Sequence, residues 1–299
     1  MQLGPLRLKN PVLTASGTFG YGGEYADFMD LRRLGGIVVK GISLHPRPGN
    51  PPPRIVEAPA GMINAIGLEN VGVDEFLARK LPYLRRLETP VLVNIFGNTV
   101  EEYGLLARKL DGAPGVAALE INISCPNVKR GGMVFGTDPS MAAEVVSAVR
   151  RATSMPLVTK LTPNVTRMGD VARAAADAGS DILSAINTVS AMAVDVFSRR
   201  PKLANVVGGL SGPAIRPVAL RCVYEVLRAV DCPVMGIGGI ATANDALEFL
   251  LVGAKAVQVG TANFVQPSVT LDILDGLERF LRVQEISSVE DYIGTLETG

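Results

Sequence analysis

Short apolar runs recur along the whole chain, each separated from the next by an amphipathic segment. These runs are rich in Val and Ile and are largely apolar on both faces. Parallel strands that are covered on both sides have this composition. The pattern therefore predicts eight buried strands, at Val12–Ala15, Gly36–Lys40, Val91–Ile95, Ala118–Ile123, Leu157–Leu161, Ile182–Asn187, Val234–Ile237 and Ala256–Val259.

The segments between these runs have apolar spacing typical of helices that pack on a sheet. Two of them begin with sequences that resemble capping boxes, Thr99 to Glu102 and Thr242 to Asp245. Eight strand–helix units in 299 residues favour a (β/α)8 TIM barrel of the α/β class over an open sheet. A doubly wound sheet would more naturally carry a Gly-x-Gly-x-x-Gly after its first strand, and none is found there. We expect one domain over residues 1–299.

Three long connections are expected to cover the C-terminal face of this barrel. They follow predicted strands two, four and six, at Gly41–Val71, Pro126–Thr137 and Thr188–Ser211. Long connections in compact domains usually carry function. Active sites of such barrels lie on this face, so the loops indicate where the chemistry takes place.

Composition excludes several classes of partner. The chain is 47% hydrophobic and 19% charged, with 29 basic and 29 acidic residues and no Trp. A neutral chain with few aromatic residues is a poor candidate for nucleic-acid binding. No apolar run approaches the roughly 18 residues of a membrane span, and the N-terminus lacks the apolar core of a signal peptide. We therefore expect a cytoplasmic enzyme that binds neither nucleic acid nor membrane.

Amides and lysines mark the predicted strand ends. Asn64, Asn94, Asn122 and Asn187 come from separate elements; each alone is typical of a turn, but together they suit a ring with alternating C=O and N–H edges, such as a pyrimidine or a flavin. Lys40 and Lys160 lie within apolar runs, where a charge is costly unless an anion or ligand pairs with it. Beside a flavin, Lys160 can stabilise the negative charge of the reduced form.

Glycine-containing turns close predicted strands seven and eight, at Gly238-Gly239 and Gly260-Thr261. Barrels commonly bind phosphate there, through backbone N–H groups and a helix N-terminus. The two turns favour a phosphorylated cofactor, of which flavin mononucleotide (FMN) is the natural candidate.

Cys125 follows predicted strand four directly, within Asn-Ile-Ser-Cys-Pro-Asn. A buried structural cysteine and a nucleophilic pair with the sole histidine, His45, are alternatives. A general acid/base fits better, because a thiol pKa near 8.5 permits proton exchange without extreme tuning. The other cysteines, Cys222 and Cys232, are expected to be packing residues. The three are scattered and form no zinc or iron–sulfur ligand set, so we predict no metal on this chain.

Four motifs resemble the class 1 dihydroorotate dehydrogenases: Asn122 to Gly132, Asn64 to Leu68, Val93 to Gly97 and Val38 to Gly41. The related class 2 enzymes have a serine where this chain has Cys125. The segment Val128 to Asp138 is similar to that of subclass 1B, the catalytic subunit of the NAD-linked enzyme.

The resemblance implies site residues and partners. The flavin would contact Ser16, Lys40, Gly41, Asn94, Asn122, Lys160 and Ile186, with its phosphate at Gly212, Gly238, Gly239, Gly260 and Thr261. Dihydroorotate, or its product orotate, would be held by Lys40, Asn64, Ala65, Ile66, Gly67, Leu68, Asn122, Asn187 and Thr188. A partner subunit would carry FAD and a 2Fe-2S cluster and pass electrons to NAD⁺, in a heterotetramer built on a homodimer of this chain.

The implied reaction is oxidation of dihydroorotate to orotate in pyrimidine (UMP) biosynthesis. Cys125 would take the C5 proton while a hydride passes from C6 to flavin N5, and Lys160 would stabilise the reduced flavin. Two other flavin enzymes stay open, a fumarate-using subclass 1A enzyme and a barrel of the dihydropyrimidine dehydrogenase type. A barrel that has lost activity and serves as a scaffold is a third alternative.

Overall fold

A computed structural model describes residues 1–124 and 135–298 of the chain. In this part, eight parallel strands form one sheet: β1 Val12–Thr14, β2 Ile37–Val38, β3 Val91–Ile95, β4 Ala118–Asn122, β5 Leu157–Leu161, β6 Ile182–Ala185, β7 Val234–Ile237 and β8 Ala256–Val259. Their order is β1-β8-β7-β6-β5-β4-β3-β2, and a parallel bridge between Leu13 and Gly36 joins β1 to β2. The predicted TIM barrel is confirmed.

Four strands end before their predicted limits: β1 and β4 by one residue, and β2 and β6 by two. β2 ends at Val38, because the N–H of Lys40 donates to the carbonyl of Gly20 (2.9 Å) and leaves the ladder with β3. β6 ends at Ala185, although the N–H of Ile186 still donates to the carbonyl of Ile237 on β7 (2.9 Å). The chain therefore leaves β2 and β6 where predicted site residues begin.

Alternation along each strand divides the apolar residues into two clusters. Val91, Val93 and Ile95 of β3 belong to the cluster that packs against the surrounding helices. Leu92, between them, belongs to a second cluster inside the barrel. Successive side chains of a strand point to opposite faces, so a strand buried on both faces contributes to two separate cores.

The N-terminal hairpin closes one end of the barrel. Its strands, Gln2–Leu3 and Leu6–Arg7, pair antiparallel. Leu3, Leu6 and Leu8 are buried in the same cluster as Leu13, Leu92 and the other lower inward-facing residues. The hairpin is therefore the apolar floor of the barrel, and polar chemistry is confined to the opposite end.

Six longer helices pack around the described barrel: α1 Val100–Leu110, α2 Pro139–Ala152, α3 Met168–Asp177, α4 Arg216–Leu227, α5 Ala243–Val252 and α6 Val269–Val283. Shorter helical turns lie at Gly23–Tyr25, Leu31–Arg33, Val73–Glu75, Phe76–Lys80, Leu81–Leu84, Arg85–Leu87, Phe135–Thr137, Pro213–Ile215, Ala262–Val265 and Val289–Tyr292. No helix in the described ranges has the length and apolar character needed to cross a membrane.

The two predicted capping boxes differ. At α5 the box is complete: the Thr242 hydroxyl accepts from the N–H of Asp245, whose carboxylate accepts from the N–H of Thr242 (2.8 Å). At α1 the Thr99 hydroxyl accepts from the N–H of Glu102 (3.2 Å), but the Glu102 carboxylate binds the N–H of Asn98 instead (2.5 Å). The capping box at α1 is therefore only half formed.

The long connections after β2 and β6 fold together. They contribute Ile55–Ala58 and Gly61–Asn64, and Val189–Met192 and Val207–Ser211, to one four-stranded antiparallel sheet. A further pair of short strands joins Val194–Asp195 to Arg200–Pro201. The third predicted loop, after β4, falls largely on residues 125–134, which lie outside the described residues.

Candidate active site

A cavity of about 980 Å³ opens at the C-terminal ends of the strands, bordered by the four-stranded sheet. The end of every barrel strand contributes to its lining, through Ala15, Lys40, Asn94, Asn122, Lys160, Ile186, Ile237 and Gly260. All predicted site residues in the described part line it; besides those just named they are Ser16, Gly41, Asn64, Ala65, Ile66, Gly67, Leu68, Asn187, Thr188, Gly212, Gly238, Gly239 and Thr261. Cys125 lies outside the described residues.

A buried carboxylate lies beneath the cavity. Glu120, on the inward face of β4, is completely buried, and its Oε2 is 4.0 Å from Nζ of Lys160. Asn94 donates to the same oxygen (2.7 Å), while Ser184 and Gln258 donate to Oε1 (3.0 and 2.8 Å). Lys160 thus has a counter-charge on its inner side. The sequence analysis did not identify Glu120, although its place two residues before Asn122 puts it on the same face of the strand.

Lys40 differs from Lys160 in having no such partner. Its side chain is half-buried at the cavity wall, and no carboxylate of the described residues lies within salt-bridge distance of it. The other cation of this wall, Arg54, pairs with Glu69 and also donates to the carbonyl of Asn50 (3.2 Å). Lys40 is therefore a cation that an anionic ligand can pair with.

Amide side chains form a connected group near Lys160. Asn122 accepts through Oδ1 from the N–H of Ser124 (3.1 Å) and from Nδ2 of Asn187 (3.4 Å). Asn187 accepts in turn from the N–H of Thr188 (2.8 Å). Asn64, on the antiparallel sheet, donates to the carbonyl of Gly209 (3.3 Å). The amides predicted from separate elements therefore meet in one cavity.

Asn164 is a further polar residue of the lining that the sequence analysis missed. Its Nδ2 donates to the carbonyl of Thr188 (3.0 Å), and its Oδ1 accepts from the N–H of Ser190 (2.8 Å). Thr188 also packs closely on Gly209, where a Cβ would lie 2.0 Å from the threonine hydroxyl. These contacts fix Thr188 at the cavity edge. The sequence signal that could have identified Asn164 is its position shortly after the end of predicted strand five, on the catalytic face.

Glycines form the opposite wall, at the ends of β7 and β8. Gly238 and Gly239 have φ of +130° and +75°, values that favour glycine. A Cβ on Gly239 would lie 2.8 Å from the backbone N of Arg216, and one on Gly238 would lie 2.7 Å from Cβ of Ala219. The bare backbone therefore packs against the N-terminal half of α4. Nearby, the hydroxyl of Thr261 donates to that of Ser211 (2.8 Å).

An aromatic pair supports the cavity wall beside Ser16. Tyr25 stacks on Phe19, with ring centroids 4.0 Å apart, and its hydroxyl donates to the carbonyl of Thr18 (2.8 Å). Burial, followed by the charge of Glu24, raises the pKa of Tyr25. The phenol therefore stays neutral and acts as a donor at physiological pH.

His45 and possible metal ligands were also considered in the sequence as contributors to catalysis. His45 is exposed and is absent from the lining of this cavity, so a pairing of His45 with a cavity nucleophile gains no support. Among the described residues, no group of three or more His, Cys, Asp or Glu side chains could hold a metal ion.

Known proteins resemble this chain over its full length. A family model described as dihydroorotate dehydrogenase matches residues 2–281. The catalytic subunit of dihydroorotate dehydrogenase B (NAD(+)) from Geotalea uraniireducens is 60% identical over 298 residues, covering 100% of this chain and 98% of that protein. The protein of the same name from Pelobacter propionicus is 60% identical over 297 residues, covering 99% and 98%.

A solved structure shares the fold at lower identity. The crystal structure of DHODH in complex with ferulenol from Eimeria tenella superimposes with a TM-score of 0.80, at 23% identity, covering 98% of this chain and 87% of that one. This likeness supports the barrel alone. The full-length matches and the family model together decide the relationship, and the chain belongs to the dihydroorotate dehydrogenase family.

Proposed function

We propose that this chain is the catalytic subunit of an NAD-linked dihydroorotate dehydrogenase, which oxidises dihydroorotate to orotate in pyrimidine biosynthesis. The observation that carries the proposal is one cavity that combines Lys40, a cation with no carboxylate partner among the described residues, with a connected group of amides and a glycine-lined wall. Full-length relatives near 60% identity that bear this name support it.

The cavity residues fit a flavin. Oδ1 of Asn94 is buried and has no hydrogen-bond partner among the described residues, so it can accept from a ring N–H. A Cβ on Gly41 would lie 3.0 Å from this oxygen, so a larger residue at this position would crowd the acceptor. Ser16, Asn122, Lys160 and Ile186 would complete the ring contacts. When bound, FMN supplies a hydride acceptor.

The glycine wall fits the phosphate of FMN. Gly212, Gly238 and Gly239 line the cavity with positive φ and no side chains, so a ligand can approach the backbone closely. Gly260 and Thr261, after β8, would complete the site. Backbone N–H groups beside the start of a helix favour an anion without a formal positive charge.

The unpaired Lys40 would bind the carboxylate of dihydroorotate. The C=O and N–H groups of the pyrimidine would meet Asn122, Asn187, Thr188 and the segment Asn64 to Leu68. Amides that are hydrogen-bonded to one another keep their orientation, which holds the ring in register for hydride transfer. Water is displaced from the cavity as these contacts form.

Cys125 would remove the C5 proton as C6 loses its hydride. The thiolate would act as a general base; Cys125 and most of the loop Pro126–Thr137 lie outside the described residues. Ser124, the residue before it, donates from its hydroxyl to the carbonyl of Lys160 (3.3 Å). This bond ties Ser124, the last described residue before Cys125, to β5.

Electrons would leave through a partner subunit that carries FAD and a 2Fe-2S cluster. The relatives are named as catalytic subunits, which supports the existence of a partner subunit. The chain has three cysteines, fewer than the four that a 2Fe-2S cluster usually takes. We further propose one domain over residues 1–299 and a cytoplasmic heterotetramer built on a homodimer of this chain.

The purified chain provides a direct test of the function. We expect it to bind FMN, to show a flavin spectrum that orotate perturbs and uracil does not, and to be reduced by dihydroorotate. A perturbation by uracil would favour the dihydropyrimidine dehydrogenase type of barrel, and a colourless protein that fails to bind added FMN would favour a scaffold. With its partner co-expressed, turnover with NAD⁺ rather than fumarate distinguishes subclass 1B from 1A.

Gly239→Ala is expected to weaken FMN binding by at least about tenfold. The new Cβ would meet the backbone of Arg216, so the phosphate wall must shift. Fluorescence titration of the flavin-free chain with FMN measures the dissociation constant.

Gly112→Ala is the matched control for this variant. Gly112 also has a positive φ (+64°), but its Cβ would have nothing within 4 Å, and it lies outside the cavity lining. This variant should lose about 1 kcal/mol of stability through backbone strain and keep its affinity for FMN. Equal affinity in both variants would contradict a phosphate site at Gly239.

A further inference from the structure

Glu120 is a charge without an assigned role. It is completely buried in the middle of the barrel, below the residues proposed to bind the flavin. Residues of four other strands surround its carboxylate: Asn94 on β3, Lys160 on β5, Ser184 on β6 and Gln258 on β8. A buried carboxylate costs several kcal/mol unless its partners compensate. Packing alone does not account for a charged residue at this place, whereas its four polar neighbours do.

Among the described residues, one cation lies within salt-bridge distance of the Glu120 carboxylate. Asn94, Ser184 and Gln258 are neutral donors, at 2.7 to 3.0 Å. The cation is Lys160, whose side chain is 6% exposed and whose Nζ is 4.0 Å from the carboxylate. This distance is too long for a direct hydrogen bond. The ammonium is thus attracted to Glu120, yet its N–H groups make no hydrogen bond to any described residue and are left for a ligand in the cavity.

Glu120 also determines the orientation of Asn94. An ionised carboxylate only accepts hydrogen bonds, so the amide nitrogen of Asn94 must face it. The carbonyl oxygen of Asn94 is then left without a partner among the described residues. The same carboxylate therefore attracts a cation and leaves the buried Asn94 oxygen, in a residue that lines the cavity, as an acceptor without a partner among the described residues.

We propose that Glu120 is a positioning residue for the flavin, acting through Lys160 and Asn94, and that its charge sets the reduction potential. This inference rests on the proposed function. The reduced flavin carries negative charge, which Lys160 stabilises. Glu120 offsets part of the Lys160 charge, so it weakens this stabilisation and keeps the potential lower than Lys160 alone would. A lower potential favours transfer of electrons onward from the flavin.

Glu120→Gln tests the charge while preserving the hydrogen bonds. Oε1 of Gln258 is buried and has no partner among the described residues. If the Gln258 amide turns over, this oxygen accepts from the new amide, and Asn94 keeps an acceptor. The variant therefore removes a charge at nearly constant volume. Because it leaves the buried Lys160 without this counter-charge, we also expect it to lower the free energy of unfolding.

The measurement is the midpoint potential of the FMN-loaded chain, by spectroelectrochemical titration. We expect Glu120→Gln to raise it by at least about 30 mV, which is a tenfold change in the two-electron equilibrium constant. Ser184→Ala is the control, since it removes one donor to Glu120 but keeps the charge; its potential should equal that of the wild type. A purely structural role would change the free energy of unfolding in both variants and leave both potentials unchanged.

An unchanged or lowered potential in Glu120→Gln overturns the inference. If Glu120→Gln does not retain FMN, Glu120→Asp is measured in its place. The shorter side chain keeps the negative charge but moves it away from Lys160, so we expect a smaller rise in the midpoint potential. No rise in this variant overturns the inference. Failure of the proposed function is seen separately, because the wild-type chain would then bind no FMN or would not be reduced by dihydroorotate.

Discussion

Cys125→Ala will slow reduction of the bound flavin by dihydroorotate by about 10²- to 10⁴-fold, the range that loss of a general base produces. Orotate should still bind with nearly its wild-type affinity, because its proposed contacts lie elsewhere in the cavity. Anaerobic rapid mixing of the FMN-loaded chain with dihydroorotate measures the reduction rate, and orotate-induced changes in the flavin spectrum measure the affinity.

Cys232→Ala is the control for this experiment. Cys232 is half-buried just before β7, and burial raises the pKa of its thiol, so it remains protonated and unreactive. Its replacement should leave flavin reduction unchanged. Wild-type reduction in Cys125→Ala would assign the base to another residue.

Lys40→Met should weaken orotate binding by about 10- to 100-fold. The reason is that a hydrogen bond to a charged group contributes about 1.5–3 kcal/mol, and no carboxylate of the described residues competes for this ammonium. Methionine keeps the length and apolar part of the side chain, so the cavity wall is preserved. Titration of the FMN-loaded chain with orotate gives the dissociation constant.

Lys109→Met provides the matched control. Lys109 lies on α1, is about half exposed, and pairs with Asp74 (2.6 Å) away from the cavity lining. Surface ion pairs contribute at most about 1 kcal/mol to stability, and orotate binding should be unchanged. An orotate dissociation constant within twofold of the wild type in Lys40→Met would show that another group binds the carboxylate.

The barrel could be predicted from the sequence because its signal is local. Each strand is a short run of apolar residues, and four strands, including β3 and β5, have the predicted bounds. The errors are at strand ends such as Lys40, where a backbone hydrogen bond to Gly20 competes with the ladder. Such competition depends on tertiary contacts that periodicity does not contain.

Part of the candidate site could also be predicted from the sequence, because the order of strands along the chain determines which residues share a face. Parallel strands bring their C-terminal ends to one face, so Asn94, Asn122 and Lys160 could be grouped without coordinates. Glu120 was missed because a run that is apolar on both faces hides which residues point inward. Pairing of Asn64 with Gly209 was missed because it joins two loops whose local sequences carry no common pattern.

The antiparallel sheet over the cavity has a consequence for synthesis of the protein. Asn64 and Gly209 are 145 residues apart, and ribosomes add about 5–20 residues per second. The strand Gly61–Asn64 therefore waits roughly 7–30 s for its partner, with its backbone edge unpaired. A ligand stabilises only a state that binds it. The cofactor consequently cannot assist the early nascent chain, which must stay soluble by its own sequence until β6 and the following strands emerge.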